Sequence, residues 1–294
     1  MTITEATKAN LRRKSGFVDD VQKIDGIPLF SWIDINITEL CNRTCVFCPR
    51  VDEDLYPNQN LNMPTNLTDK IASELAELNY KGAIILSGFG EPTLHPNIRG
   101  IVSSLSGSYR LEIVTNGDKL TAASIKNLTG SGINYYVVSM YDGPHQREHF
   151  QSMFREAGLN EADFILRDRW HDGVDDFGLK LTNRAGVIHT GQQPEIDATH
   201  PCYYPAYSMM IDWNGDILLC VQDWNKRVKA GNIYMDSLLN IWRSPILSRY
   251  RRRLIGANRD LPPCKDCNAD GTLHGHKHKD HWLATYPGKL AASR

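Results

Sequence analysis

The chain has 294 residues, with 33 Lys and Arg against 34 Asp and Glu, so its formal net charge is −1. This balance argues against nucleic-acid binding, which usually requires a basic excess. Hydrophobic residues make up 41% and charged residues 23% of the chain, which excludes global disorder. No apolar run reaches the ~18 residues of a membrane-spanning helix. Residues 1–20 lack the apolar core of a secretory signal. We therefore expect a cytoplasmic protein without nucleic-acid or membrane partners.

Strand and helix patterns alternate after an N-terminal extension at 1–28. The predicted strands are Trp32–Ile37, Ala83–Leu86, Leu111–Val114, Tyr135–Ser139, Phe164–Leu166 and Leu179–Leu181. The predicted helices are Leu67–Leu78, Ile98–Leu105 and Ala122–Leu128. Single helices between strands imply right-handed crossovers and a parallel sheet. The fold class is therefore α/β, an open or closed (β/α) barrel, whose functional residues should follow the C-terminal ends of the strands.

The pattern changes after Pro201. Two strand-like runs flank Asn214-Gly215, a strong hairpin signal, and helical stretches follow near 237–242 and 246–254. We assign 29–194 to the main domain, 195–285 to a second module and 286–294 to a tail. The histidine-rich stretch His274–His281 is interpreted as a solvated polar segment, and the run Arg251–Arg253 as part of a solvated helix face.

Seven cysteines are unusual in a protein expected in a reducing compartment, and an odd number cannot pair fully into disulfides. Cys41, Cys45 and Cys48 lie within eight residues, so their thiolates can converge on one metal centre. Four-iron clusters normally take four cysteine ligands, and three would leave one iron open. The alternatives are a zinc loop, or cysteines packed in the core.

The segment Cys41-Asn42-Arg43-Thr44-Cys45-Val46-Phe47-Cys48 resembles the signature of radical S-adenosylmethionine (SAM) enzymes. Four further segments match motifs of that family in the same order: Gly88–Pro92, Thr115–Gly117, Val138-Ser139 and Asn183–Gly186. The resemblance covers roughly residues 30–190. It implies a partial (β/α)6 TIM-like barrel in which the three cysteines hold a [4Fe–4S] cluster that cleaves SAM to a 5′-deoxyadenosyl radical. It also implies that SAM is bound by Phe47, Gly88, Gly90, Glu91, Asn116 and Ser139.

The other four cysteines are Cys202, Cys220, Cys264 and Cys267, of which the last two form a Cys-x2-Cys pair. A structural zinc with four cysteine ligands is the alternative, although its common spacing uses two such pairs. Behind a radical domain, this segment resembles the twitch module, a shortened SPASM domain that holds a second [4Fe–4S] cluster. Three and four cysteines account for all seven, so none is left to donate a hydrogen atom to a substrate radical. That favours oxidation, with the second cluster as electron acceptor.

The layout resembles the twitch-bearing radical dehydrogenases of the 2-deoxy-scyllo-inosamine type. The resemblance implies an oxidoreductase that acts on a sugar, an aminocyclitol or a related alcohol and receives electrons from a flavodoxin- or ferredoxin-type protein. Arg184, Asp142 and His145 are candidates for the proton step or for substrate binding. The alternatives are a peptide maturase, a redox-neutral epimerase or carbon-skeleton enzyme, and a zinc-stabilised binding module. Only 40 residues precede Cys41, which argues against the maturase because many carry a leader-binding domain there.

Overall fold

The computed structural model describes residues 5–170, 181–189 and 193–286. The helices are α1 Glu5–Val18, α2 Thr65–Glu77, α3 Ile98–Leu105, α4 Ala122–Ser131, α5 Gln146–Glu156, α6 Tyr204–Tyr207, α7 Leu238–Trp242, α8 Pro245–Ile255 and α9 His276–Thr285. The strands are β1 Lys23–Ile24, β2 Ile27–Pro28, β3 Trp32–Ile35, β4 Ala83–Leu86, β5 Arg110–Thr115, β6 Tyr135–Met140, β7 Phe164–Asp168, β8 Ser208–Ile211, β9 Asp216–Leu218 and β10 Lys229–Asn232. Among these helices, none is long and apolar enough to cross a membrane.

One eight-stranded sheet organises the molecule, in the order β10-β9-β8-β3-β4-β5-β6-β7. Neighbours from β8 to β7 run parallel, while β8, β9 and β10 pair antiparallel. The α/β class and the parallel sheet predicted from the strand and helix pattern are thereby confirmed. Of the predicted strand at 179–181, residues 179 and 180 lie outside the described residues.

The predicted hairpin after Pro201 is present, and its first strand extends the barrel sheet. Strand β8 pairs in register with β3, from Trp32 opposite Ser208 to Ile35 opposite Ile211. The turn to β9 uses Gly215 at a φ of 84°, which a glycine adopts without strain. The sheet therefore continues across the sequence boundary drawn at 194/195, and the last third of the chain is built onto the edge of the barrel sheet.

The two faces of the sheet differ in chemistry because side chains alternate along each strand. On one face, Ile33, Ile35 and Val138 are fully buried in the main core with residues of the surrounding helices. The opposite face carries polar side chains, including Ser139 and Arg167, which line a cavity. A parallel sheet is normally apolar on both faces, so this polar face indicates a binding site.

The N-terminal extension is part of the folded molecule rather than an appendage. Helix α1 packs against the sheet, where Val18 is fully buried and Arg13 forms an ion pair with the fully buried Glu112. The Lys14 amine lies 4.5 Å from the ring centroid of Trp32, and burial lowers the pKa of Lys14 to about 8. The positive charges of Arg13 and Lys14 both have partners inside the fold. This explains why a polar sequence forms a helix that packs against the sheet.

The predictions of a solvated histidine stretch and a solvated arginine face are wrong at three positions, because His274, His278 and Arg251 are buried. His278 in α9 is fully buried, with Nε2 3.0 Å from Ser31 Oγ and 3.1 Å from the Leu29 carbonyl oxygen. Arg251 is also fully buried, and its guanidinium lies 4.2 Å and 3.9 Å from the rings of Trp242 and Trp282. A flat cation stacks well on aromatic faces, which a count of charges along the sequence does not reveal.

Candidate active site

The first three cysteines lie on the loop that follows β3 and line a cavity of about 500 Å³. Two hydrogen bonds with Asn58 hold the start of this loop. The Cys41 amide donates to Asn58 Oδ1 at 2.9 Å, and Asn58 Nδ2 donates to the Cys41 carbonyl at 3.0 Å. Burial raises the pKa of all three thiols, that of Cys45 to about 12, and repulsion from neighbouring thiolates adds to the effect at Cys41 and Cys45. The three sulfurs therefore face the same space, as ligands of one metal centre would.

Arg43 fastens the middle of the cysteine loop to the ends of two later strands. Its guanidinium donates to Asp118 at 2.7 and 2.6 Å and to Asp142 at 2.8 and 2.7 Å. The hydrogen bond with Arg43 lowers the pKa of Asp142. Neither Asp142 nor His145 is among the residues that line the cavity. The geometry favours a positioning role for Asp142 over direct proton transfer.

The Gly88–Glu91 turn after β4 forms a second wall and has no room for side chains at its glycines. A Cβ on Gly90 would collide with the Thr38 carbonyl, and Gly88 has a φ of 126°. Glu91 is buried and accepts hydrogen bonds from Thr115 Oγ1 at 2.6 Å and from the Asn116 amide at 2.7 Å. Burial raises the pKa of Glu91, which these hydrogen bonds oppose. The Glu91 side chain thus braces this turn against the loop after β5.

The third wall combines the Thr115-Asn116 loop with the end of β6. Asn116 Nδ2 donates to Asn42 Oδ1 at 2.9 Å, which links this wall to the cysteine loop. Ser139 accepts from Arg167 at 2.9 Å. The Phe47 ring stacks on Tyr141, with centroids 6.1 Å apart. The structure therefore brings together all six side chains or glycines that the resemblance assigns to SAM, and each lines the same cavity.

Sequence reasoning missed a buried charge network beneath the cysteine loop. Glu39 accepts from Arg50 at 3.0 Å and from Lys226 at 2.6 Å, and Lys226 also contacts Asp212 at 2.6 Å. Asn36 donates to both carboxylates. Glu39 and Arg50 flank the motif by two residues on either side, a signal that could have pointed to them. Because Asp212 and Lys226 come from the last third of the chain, the network joins that part to the loop.

The other four cysteines surround a second, smaller cavity: Cys202, Cys220, Cys264 and Cys267. Burial raises the pKa of Cys202 to about 11 and raises that of Cys220 well above its usual value, and repulsion among the thiolates contributes. A Cβ on Gly271 would lie within 2.7 Å of the Cys202 Cα, so only glycine fits beside this ligand. Four thiol donors around one enclosed space suit a saturated four-iron cluster.

Arg259 ties the second cysteine set together through backbone groups. Its guanidinium is buried and donates to the carbonyls of His200 at 2.7 Å, Pro201 at 3.0 Å and Cys267 at 3.1 Å. Its positive charge lowers the pKa of Cys202, Cys264 and Cys267, against the larger effect of burial. A fixed cation here would compensate the negative charge that four thiolates bring to a buried cluster.

Arg184 lies between the two cysteine sets. Burial lowers its pKa, while the thiols of Cys48 and Cys267, one from each set, raise it. Its φ is 49°, and Ala185 follows at 56°, so two non-glycine residues occupy the left-handed region. Such a conformation costs on the order of 1 kcal/mol per residue or more and persists only where the surroundings enforce it. Strain at this position is a sign of a functional role.

The contacts that enforce this conformation come from the loop that carries Cys264 and Cys267. The Asn183 backbone amide donates to Asn268 Oδ1 at 2.8 Å, and the Asn268 backbone amide donates to Asn183 Oδ1 at 3.3 Å. Asn183 Nδ2 also donates to the Asp266 carbonyl at 2.7 Å, and Arg227 donates to the carbonyl of Ala185. The second cysteine set therefore positions Arg184 at the cavity that holds the first.

Comparison with known proteins identifies both units. Residues 35–161 match the model of the radical SAM superfamily, and residues 202–268 match that of the SPASM iron–sulfur cluster-binding domain. The chain thus combines a radical SAM domain with a SPASM domain. It is 28% identical over 247 residues to the S-adenosyl-L-methionine-dependent 2-deoxy-scyllo-inosamine dehydrogenase of Niallia circulans, an alignment that spans 82% of this chain and 93% of that enzyme.

Solved structures agree with this assignment. The crystal structure of BtrN in complex with AdoMet and 2-DOIA superposes with a TM-score of 0.70 at 25% identity, covering 86% of this chain and 98% of that one. A structure of anSMEcpe with bound AdoMet gives a TM-score of 0.52 at 12% identity, over 90% of this chain and 98% of that one. The second likeness concerns the fold alone.

These findings confirm the resemblance inferred from the sequence. This radical SAM enzyme is an oxidoreductase that uses SAM, and its two domains imply a SAM-binding [4Fe–4S] cluster and an auxiliary iron–sulfur centre. The two cysteine sets fit these groups in number, in donor type and in the cavities they surround. The alternative of a zinc-stabilised binding module without catalysis is thereby excluded.

Proposed function

We propose that this enzyme oxidises an alcohol carbon of a small polyhydroxylated substrate by two electrons. Cys41, Cys45 and Cys48 hold the cluster that binds SAM, and the other four cysteines hold an auxiliary [4Fe–4S] cluster. The observation that carries the proposal is the complete division of the seven cysteines between two cavities, with four thiols around the second. The relative that matches over 93% of its length is a radical dehydrogenase of an aminocyclitol.

When bound, SAM and the two clusters would supply the radical chemistry of this oxidation, which removes one hydrogen atom from the carbon, one proton from the hydroxyl and one electron in all. The protein shapes the space for this reaction. A cavity of about 500 Å³ lies within the range of roughly 300–1,000 Å³ typical of small-molecule sites. Its walls come from the barrel strands and from Gln222 and Trp224 of the last third of the chain.

Residue roles follow from position. Phe47, Gly88, Gly90, Glu91, Asn116 and Ser139 form the wall beside the cysteine loop, and we assign them to SAM. Arg184, held between the two cysteine sets, is assigned to the substrate, where its guanidinium orients the reacting hydroxyl and stabilises the charge that develops as the proton leaves. Asp142 keeps Arg43 and the cysteine loop in place. Electrons for the first cluster come from a flavodoxin- or ferredoxin-type donor.

The test uses the protein reconstituted anaerobically with iron and sulfide. The holoenzyme is incubated with SAM, a reductant and a panel of cyclitols, amino sugars and polyols carrying deuterium on carbon. We expect deuterium in 5′-deoxyadenosine and one ketone product for each SAM consumed. Redox-neutral products with the same deuterium transfer would refute oxidation while leaving the radical assignment intact. Failure to cleave SAM in a protein with a full complement of iron would refute the assignment of the first site.

A further inference from the structure

Lys226 extends from the last third of the chain into the charge network beneath the first cysteine site. Its side chain is only 22% exposed, and its amine lies 2.6 Å from a carboxylate oxygen of Glu39 and 2.6 Å from one of Asp212. Both carboxylates are buried. Glu39 also pairs with Arg50, whereas Lys226 is the only cation that pairs with Asp212 among the residues that the structure describes. Loss of the lysine would therefore leave a buried negative charge uncompensated.

The backbone around Lys226 holds this side chain in place. Lys226 has a φ of 50°, in the left-handed region, where a residue other than glycine persists only if its surroundings enforce the conformation. Its amide donates to the Asp223 carbonyl at 2.9 Å, and the buried Asp223 side chain accepts from the Val228 amide at 2.9 Å. The position of the lysine is thus set by a defined turn, unlike that of a lysine on an exposed loop.

One path from the network to the cavity leads through Arg50. Its Nη2 donates to Glu39 at 3.0 Å, its Nε donates to the Phe89 carbonyl at 2.6 Å, and its Nη1 donates to Asn58 Oδ1 at 3.4 Å. Asn58 in turn binds the backbone amide and carbonyl of Cys41. One guanidinium group therefore connects the start of the cysteine loop with the turn that contains Phe89, and Glu39 holds that guanidinium in place.

A second path leads through Asn36. Its Nδ2 donates to the two carboxylates that Lys226 holds, at 3.0 and 2.8 Å. Its Oδ1 accepts from the backbone amides of Phe89 and Gly90, at 3.0 and 3.2 Å. The Lys226 amine also lies 5.1 Å from the centroid of the Phe89 ring. The orientation of the Asn36 side chain, and with it the position of two amides of the turn, therefore depends on carboxylates that the lysine keeps in place.

Both paths end at the Gly88–Glu91 turn, which the proposed function assigns to SAM. We propose that Lys226 is a positioning residue for SAM binding: it fixes this turn relative to the cysteine loop, so that the affinity for SAM depends on a side chain supplied by the last third of the chain. The inference rests on the assignment of this wall to SAM in the proposed function. Neither path includes a cysteine side chain, so the clusters should bind without the lysine while SAM binds poorly.

The test measures SAM binding to the anaerobically reconstituted enzyme by calorimetry, without a reductant so that SAM stays intact. Lys226→Met removes the charge and Lys226→Arg keeps it, and the control is Lys229→Met, which changes an exposed lysine of β10 paired with Asp216. We expect the Kd for SAM to rise roughly tenfold in Lys226→Met, to recover in large part in Lys226→Arg and to stay unchanged in the control. Parental affinity in a folded Lys226→Met protein with about eight irons per chain would overturn the inference.

A second variant separates the amine from the turn that carries it. Asparagine tolerates the left-handed region well but is too short to reach Glu39, so Lys226→Asn should keep the turn and still bind SAM as weakly as Lys226→Met. Parental SAM affinity in Lys226→Asn would overturn the inference, whether or not Lys226→Met folds.

Hydrogen exchange of the SAM-free enzyme supplies a readout that is independent of activity. In both charge-removing variants the amides of Cys41, Phe89 and Gly90 should exchange faster than in the parent, because their acceptors are Asn58 and Asn36. Faster exchange spread evenly over the chain, with a lower melting temperature, would assign the lysine a structural role and overturn the inference. Failure of the parent itself to bind SAM would overturn the proposed function as well, whereas equal binding by parent and variants overturns the inference alone.

Discussion

The two cysteine sites are built in opposite ways. Cys41, Cys45 and Cys48 occupy a single loop of eight residues, whereas the second set comes from three distant parts of the chain, at 202, 220 and 264–267. The local site needs outside supports, which Arg43, Asn58 and the network around Glu39 supply. The dispersed site is assembled by the tertiary fold itself and by Arg259. Iron binding at the local site should therefore tolerate destabilisation of the overall fold, whereas iron binding at the dispersed site should not.

The difference also matches what each site has to do. The first site must admit a cofactor and a substrate, so its ligands lie on a loop that borders an open cavity. The second only has to exchange electrons, and a closed shell of four ligands from packed segments suits that task. The two are joined through the strained Arg184 segment and the Asn183–Asn268 pair.

The largest expected effect comes from removing the local site. Replacing Cys41, Cys45 and Cys48 by Ala should reduce 5′-deoxyadenosine formation by roughly 100-fold or more, because no cluster remains to donate the electron. The dispersed ligands are untouched, so about four irons per chain should remain after reconstitution. Cleavage assays and iron and sulfide analysis measure both. SAM cleavage at the parental rate would refute the assignment of the local site.

The second prediction concerns the removal of the dispersed site while the local site is kept. Cys264→Ala with Cys267→Ala should stop product formation while SAM cleavage falls only a few-fold, since the first cluster remains but the substrate radical has no electron acceptor. Metal binding is coupled to folding, so the variant must first show about four irons and a folded circular dichroism spectrum. Parental rates of substrate oxidation in such a protein would reduce the second cluster to a structural element.

A steric change tests whether the dispersed site depends on close packing. In Gly271→Ala the new methyl group would overlap Cys202, and such overpacking costs on the order of 1–3 kcal/mol. We expect the auxiliary cluster to be lost in part, with iron between about four and about eight per chain, and SAM cleavage to be retained. The control is Gly130→Ala in α4, where nothing lies within 4 Å. Full iron content in the Gly271 variant would show that the loop beside Cys202 can yield.

Much of the first site was predictable because its signal is local. The spacing of three cysteines, the aromatic residue before the third and the turns after successive strands are all short patterns, and the structure brings them to one cavity. The assignment of the second set needed a resemblance, since only Cys264 and Cys267 are close in sequence. The dispersed ligands converge through β8, which pairs with β3, a contact between residues about 176 apart.

The features that the sequence did not predict have one physical cause in common. Arg251 and His278 are polar in the sequence but buried in the structure, and Lys14 is half-buried, each against aromatic rings or backbone carbonyls contributed by distant residues. Polarity along the sequence predicts exposure only when no such partner exists. The part of Lys226 in the charge network could not be predicted for the same reason, because it is far from Glu39 in the sequence and meets it only in the fold.

The smallest expected effect is an acid sensitivity of the dispersed site. His278 packs against Tyr207, at the end of the helix that follows Cys202, with ring centroids 6.1 Å apart. Burial lowers the pKa of His278 from 6.5 to about 4. Because the folded-state pKa is depressed, the stability contributed by the neutral ring is complete above pH 6.5 and is lost as the pH falls towards 4. Between pH 7.5 and 5.5 the loss should be on the order of 1 kcal/mol.

The measurement compares the parent with His278→Asn, using thermal unfolding and iron release at both pH values, and His145→Asn as an exposed control. The parent should lose stability and release auxiliary iron sooner at pH 5.5, and the Asn variant should show a smaller change because it no longer titrates there. Equal pH dependence in all three proteins would place the acid sensitivity elsewhere. A loss confined to the auxiliary iron would support the comparison, since protonation of His278 acts on the segment that carries Cys202 and not on the cysteine loop after β3.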